Sequence, residues 1–189
     1  MGTTDTMQQV VAEMGRVIDG ISPDQLDQPT LCTQWSVRDV INHVTGGSTM
    51  FAVCVEEGSI PDELFGQLIG GDNLGDDYKG AFHAAADRAV AAFGQPGALE
   101  KVVKLPFGEM PAGIALQVAI FDVTTHACDL AKATGQEVKD TEVLEAALEA
   151  GRQMITDDLR GTGRFGPEQQ VPEGAPTADK LLAFAGRQL

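Results

Sequence analysis

The sequence predicts a mainly all-α protein, an antiparallel four-helix bundle with a short β-like stretch and an irregular C-terminal tail. Two observations carry that expectation. Long segments place apolar residues at alternating spacings of three and four, the period of an amphipathic helix. Only one short piece reads as extended, and four long helices with one minor extended piece suit a bundle.

The first helix is expected from Asp5 to Gly20, with Met7, Val10, Val11, Met14, Val17 and Ile18 along one face. Gly20 and Ser22-Pro23 end it, and Ser22 to Gln34 reads as a turn-rich connection. Ser36 followed by Asp39 forms an approximate capping box, so a second helix runs from there to about Glu57. Gly46-Gly47 interrupts it at a cost of about 1 kcal/mol per glycine relative to alanine. Two readings stay open for that pair: close helix packing or a kink, and room for a ligand. Gly58 to Gly75 reads as irregular, with a short turn around Asp62 to Gln67.

A third helix is expected from Asp76 to Phe93, with Ala85, Ala89, Ala92 and Phe93 inward and Gly94-Gln95-Pro96-Gly97 as its stop. Lys101 to Leu105 is the β-like stretch, and Pro106 to Met110 a turn. The fourth helix begins near Pro111, a favoured first-turn residue, and ends at Gly135. A fifth spans Thr141 to Leu159. Gly161 to Pro176 is rich in Gly and Pro and reads as irregular. Thr177 caps a last short helix, Ala178 to Ala185.

The chain has 189 residues, enough for a single domain with a sizeable core. Apolar residues make up 43% and aromatics 5%, so Ala, Val, Leu and Ile should build that core. Thirteen basic against 28 acidic residues give a formal charge of −15, which repels phosphate backbones and anionic lipid. Neither nucleic acid nor membrane is expected as a partner. No apolar run approaches the roughly 20 residues of a spanning helix, and the start of the chain lacks a basic-then-apolar signal. A cytoplasmic protein is expected. Cys32, Cys54 and Cys128 are odd in number and show no CxxC, which argues against a disulfide framework or a thiolate zinc knuckle.

Asp122 and His126 lie four residues apart on the fourth helix. That spacing stacks both side chains on one face, about 5–6 Å apart at Cβ. Ala115, Val118, Ala119 and Ala133 share the face, so it looks inward. His43 lies on the inner half of the second helix, beside Val40 and Val44. Facing helices of a bundle build metal sites from such inward side chains. Two imidazoles and one carboxylate leave coordination positions open, as in catalytic zinc sites. Zinc is the default, and iron, nickel or manganese also suit the donors. Spacing alone leaves the simpler readings open: a lone buried histidine is more often a hydrogen-bonded core residue, and Asp-xxx-His often bonds across one helical turn.

His83 reads as a surface or boundary residue. Cys128 points away from His126, and Cys54 sits about 16 Å along the axis from His43, so both read as core residues. Asp129 could orient the His126 imidazole or pair with Lys132. The acidic Asp157-Asp158 pair reads as a solvated face.

The stretch TLCTQWSVRDVINHVTGG resembles the first metal motif of the mycothiol-dependent maleylpyruvate isomerase N-terminal family, within the wider DinB/YfiT-like group. AIFDVTTHACDLAKATGQ resembles the second, and FGPEQQVPEGAPTADKLLAFAGR is similar to the ending of its stand-alone actinobacterial branch. The resemblance spans nearly the whole chain. It implies a DinB-like bundle holding one divalent metal ion through His43, Asp122 and His126. The characterised isomerase has Glu where this chain has the shorter Asp122, which alters metal distance or preference. It also carries an additional C-terminal domain that this sequence lacks.

The resemblance further implies a low-molecular-weight thiol such as mycothiol as cosubstrate and an electrophilic small molecule as its target. The metal would activate the thiol for S-transfer or isomerisation. Arg88 and Asp129 are candidate proton donors. A non-catalytic metal- or ligand-binding module and a metal-dependent hydrolase are the competing readings. Related bundles are often dimers, so a homodimer stays open.

Overall fold

The computed structural model describes residues 2–161 and 165–189. Four helices form the bundle: α1 (Thr3–Asp19), α2 (Val37–Glu57), α4 (Tyr78–Phe93) and α5 (Ala112–Thr134). Around its circumference α1 packs on α5, α5 on α2, α2 on α4, and α4 on α1. Outside this ring, α6 (Thr141–Met154) packs on α5, and α8 (Thr177–Phe184) packs on both. The expected DinB-like bundle is therefore the observed one.

Local chemistry accounts for the helix limits. The Ser36 hydroxyl accepts from the Asp39 amide, while the Asp39 carboxylate accepts from the Ser36 amide at 2.9 Å, a full capping box. Gly135 closes α5 at φ 71°, in the left-handed region that favours glycine. Burial follows the helical period: Met7, Val10, Met14, Val17 and Ile18 of α1 are all at most 1% exposed. Tyr78 at the start of α4 donates to the Ile21 carbonyl just past α1, and His83 reaches Asp19, so these two helices run antiparallel.

Several sequence expectations need correction. The Gly58–Gly75 segment is not merely a turn: Asp62–Gly70 forms a helix, α3, against α2. Its glycines weaken helix propensity, and packing on α2 overrides that. Pro106 to Met110 is mostly strand. β1 (Val102–Leu105) and β2 (Gly108–Pro111) form an antiparallel hairpin around a tight Pro106-Phe107 turn. Pro111 caps α5 from outside rather than opening its first turn. The expected fifth helix breaks at Ile155, whose extended backbone separates α6 from α7 (Asp157–Gly161). Thr177 is the first residue of α8, and Pro176 takes the cap position. Of the expected irregular tail, residues 162–164 lie outside the described residues, and 166–172 is irregular.

One further correction concerns α5. Contrary to expectation, it has the length and apolar character of a membrane span, with mean hydropathy 1.2 in its most apolar window. Yet 78% of that window is buried inside the bundle, as in a core helix.

Candidate metal centre

Helices α2 and α5 pack face to face, which brings His43 to Asp122 and His126 across 79 positions of sequence. His43 Nε2 lies 3.3 Å from Asp122 Oδ1, and His126 Nε2 lies 3.7 Å from the same oxygen. One donor atom from each of the three residues falls within 4.8 Å of the others. Ligands at about 2.1 Å from a tetrahedral ion would stand about 3.4 Å apart. The donor set and its spacing therefore fit a single divalent cation. The His43 and Asp122 side chains are 38% and 30% exposed, and that of His126 only 7%, so the cluster opens outward on the His43 side.

Asp129, fully buried, orients His126. Its Oδ2 lies 3.0 Å from His126 Nδ1. Burial works against the Asp129 charge, but hydrogen bonds from His126 and Arg187 hold its pKa below the usual carboxylate range. An ionised carboxylate only accepts, so Nδ1 carries a proton and the ring is turned with Nε2 towards Asp122. Of the two sequence readings of Asp129, orientation of His126 is the observed one; Lys132 pairs with Asp179 instead. Burial also opposes the Asp122 charge, and His43 overrides it, bringing Asp122 down to about 2. His43 is raised in turn: desolvation pulls it down, and the Asp122 carboxylate outweighs that.

Two residues of this cluster escaped the sequence reading. Trp35 stands over both imidazoles, its ring centroid 4.7 Å from that of His43 and 5.6 Å from that of His126. A tight loop aims it: the Trp35 amide donates to Cys32 O, and its carbonyl accepts from the Thr30 amide and hydroxyl. Trp35 is the single tryptophan, adjacent to a helix cap, and that was the available signal. Arg187 grips Asp129 with both Nε and Nη2. It lies 58 positions away as the last residue of the tail motif FGPEQQVPEGAPTADKLLAFAGR, which marked the segment but not Asp129 as its partner.

Other candidates fall elsewhere. Arg88 pairs with Glu56, about 20 Å along α2 from His43 at 1.5 Å per residue, and is no proton donor to this cluster. His83 is exposed and bonds Asp19. Cys54 is buried and donates weakly to the Lys104 carbonyl. Cys128 lines a separate cavity of about 500 Å³ beside the Lys132–Asp179 pair. Burial raises the pKa of all three thiols, Cys54 to about 11, so none is a ready thiolate at neutral pH.

A second cavity, about 580 Å³, adjoins His43 and Trp35 between α2, α3 and the hairpin turn. Both glycines of α2 line this cavity, and they differ in what surrounds them. A Cβ on Gly46 would stand 2.7 Å from Leu68 O, so this glycine permits the approach of α3. A Cβ on Gly47 would meet nothing within 4 Å, and Gly47 lines the cavity.

Residues 7–131 match the family described as mycothiol maleylpyruvate isomerase N-terminal domain. Two uncharacterized proteins of Mycobacterium tuberculosis, from strains CDC 1551 / Oshkosh and ATCC 25618 / H37Rv, are 36% identical over 177 residues. The matches span 90% of this chain and 90% of theirs. Crystal structures of the mycothiol-dependent maleylpyruvate isomerase and of a point mutant of it share the fold, with a TM-score of 0.69. They are 17% identical, over 85% of this chain and 71% of that chain.

Proposed function

The chain belongs to the mycothiol maleylpyruvate isomerase N-terminal domain family, and from that premise we propose a thiol-dependent enzyme. In this reading His43, Asp122 and His126 hold one divalent metal ion, zinc by default. A low-molecular-weight thiol of the mycothiol type is the cosubstrate, and an electrophilic small molecule is the target. The supporting observation is the convergence of two imidazole nitrogens and one carboxylate oxygen at an outward-opening cluster. The absence of any ready thiolate among the chain's own cysteines points the same way, towards a nucleophile brought from outside.

A bound divalent cation lowers a thiol's pKa and so supplies a thiolate at neutral pH. The chain's own side chains prepare that chemistry. Asp129 keeps the His126 proton on Nδ1, and Arg187 balances the Asp129 charge. Trp35 covers both imidazoles and shields them from water on one side. The thiolate sulfur then forms a bond to the electrophilic carbon. A leaving group departs with its bonding pair; in a conjugated alkene the π pair shifts to the neighbouring carbon, which takes up a proton. Rotation of such an adduct, followed by loss of that proton and departure of the sulfur as thiolate, is isomerisation.

Elemental analysis of the purified protein beside His126→Ala tests the metal centre, with one metal ion per chain expected in the first and loss in the second. Thiol transfer to a bimane, with mycothiol and other cellular thiols, tests the chemistry. Metal absent from both preparations, or no rate above that of free thiol, overturns the reading.

A further inference from the structure

The cavity beside His43 carries information about what the thiol is delivered to. Its larger wall is apolar, made by Met50, Phe65, Leu68, Ile69 and Phe107, while Gln34, Asp39, Asn42 and His43 line the rest, beside Trp35 at the end shared with the metal cluster. Two of these are exposed for their size, Ile69 at 63% and Phe107 at 39%, and both line the cavity. Among the described residues no Lys or Arg lines it. The formally charged lining residue is Asp39, a carboxylate that hydrogen bonds from Ser36 hold below its ordinary pKa.

Two cations belong to neighbouring parts of the structure, and both are committed. Arg38, one helical turn before Asn42, pairs with Asp72; Arg187 is held by the fully buried Asp129. The lining amide of Asn42 is held in place as well, donating one N–H to Gly71 O and accepting from the Asn73 amide. A dicarboxylate entering this space would find no Lys or Arg to pair with, only the Gln34 side chain and the cluster at its His43 end, and it would face Asp39 and a chain of net charge −15. Burial of an uncharged apolar group against the same walls is favourable.

We infer that the cavity lined by Gly47, Phe65, Leu68, Ile69 and Phe107 binds an uncharged, apolar electrophile in preference to a dicarboxylate. The inference rests on the thiol-transfer reading, whose substrate class it names. It separates this chain from a relative that acts on maleylpyruvate, a dicarboxylate. For a neutral α,β-unsaturated imide the step is conjugate addition. The sulfur–carbon bond forms, the alkene π pair moves towards the carbonyl, and the proton given up by the thiol reaches the α-carbon through solvent. No oxidant is needed.

Unreactive probes test the occupant without alkylating the free cysteines. Binding of neutral N-phenylsuccinimide and of dianionic phenylsuccinate to the full chain is read by titration calorimetry. The neutral probe is expected to bind at least tenfold more tightly. Gly47→Leu, which fills the cavity, should weaken it at least tenfold, and Ile69→Arg, at an exposed wall position, should improve dianion binding. Equal or tighter binding of the dianion overturns the inference, as does no detectable binding of the neutral probe. Neutral binding that survives both substitutions overturns it too, because the probe then sits elsewhere. Addition of a small thiol to N-phenylmaleimide is measured in parallel. Pocket binding without rate enhancement sinks the thiol-transfer reading and leaves the assignment of the occupant standing.

Discussion

Arg187 holds both carboxylate oxygens of Asp129, with Nε 3.0 Å from Oδ1 and Nη2 2.9 Å from Oδ2, and Asp129 in turn holds His126. Asp129 is completely buried and the Arg187 side chain is 17% exposed. Removing the guanidinium alone leaves a buried charge without its main partner. Arg187→Ala should therefore cost about 3–5 kcal/mol in urea unfolding. Metal affinity should fall roughly 10- to 100-fold, because the carboxylate that orients His126 is no longer fixed. Competition with a chromophoric chelator measures the second effect. Unchanged affinity in a folded Arg187→Lys or Arg187→Ala protein would show that Asp129 needs no anchor.

Trp35 offers an optical probe of the same cluster. As the single tryptophan, centred 4.7 Å from the His43 ring, it should report metal binding through its fluorescence. Paramagnetic nickel is expected to quench more strongly than zinc. His126→Ala should abolish the response to both, and a full response in that variant would contradict the proposed ligand set.

Gly46 and Gly47 should respond oppositely to alanine. At Gly47 the added methyl meets open space, so Gly47→Ala should stabilise α2 by up to about 1 kcal/mol. At Gly46 it meets the Leu68 carbonyl at 2.7 Å and the Asn73 amide at 2.8 Å. Backbone cannot yield cheaply, so Gly46→Ala should destabilise by about 1–3 kcal/mol. Thermal melts of the two variants side by side check the contrast.

Glu13 predicts an acid sensitivity remote from the site. Its carboxylate accepts from Arg16 Nε and Nη2 and from the Lys139 amide, tying α1 to the connection before α6. The bond from Arg16 is the largest cause holding its pKa below the ordinary 4.5. A group with a depressed folded-state pKa stabilises fully above its unfolded value and loses that contribution as the pH falls through the folded one. Glu13→Gln should therefore be less stable by about 1–2 kcal/mol at neutral pH. The gap between the two proteins should close below pH 4.5. A gap that persists unchanged in acid would mean packing, not charge, is lost.

The second and fourth expected helices, the Ser36 and Gly135 caps and the inward histidines are legible because they are local. Helical period, a capping box at Ser36 and Asp39, and a glycine at 135 act within a few residues, and the i, i+4 spacing of Asp122 and His126 follows from helix geometry alone. The recognition of His43 as their companion came from flanking motifs rather than from spacing. The same local logic failed where packing outvoted propensity. The glycine-rich segment that became α3 is helical against α2, and the stretch after Leu105 is strand because it pairs with β1.

Sequence alone determined that this is a helical bundle with an acidic surface and three chemically apt side chains on inward faces. Tertiary structure alone decided that those side chains converge. It also decided that Asp129 points at His126 rather than Lys132, that Arg187 arrives from 58 positions away, and that Gly46 admits α3 closely while Gly47 faces open space. The physical reason is range. Capping and periodicity are set by neighbours along the chain, whereas a carboxylate's partner and a cavity's walls are set by whichever elements packing brings together.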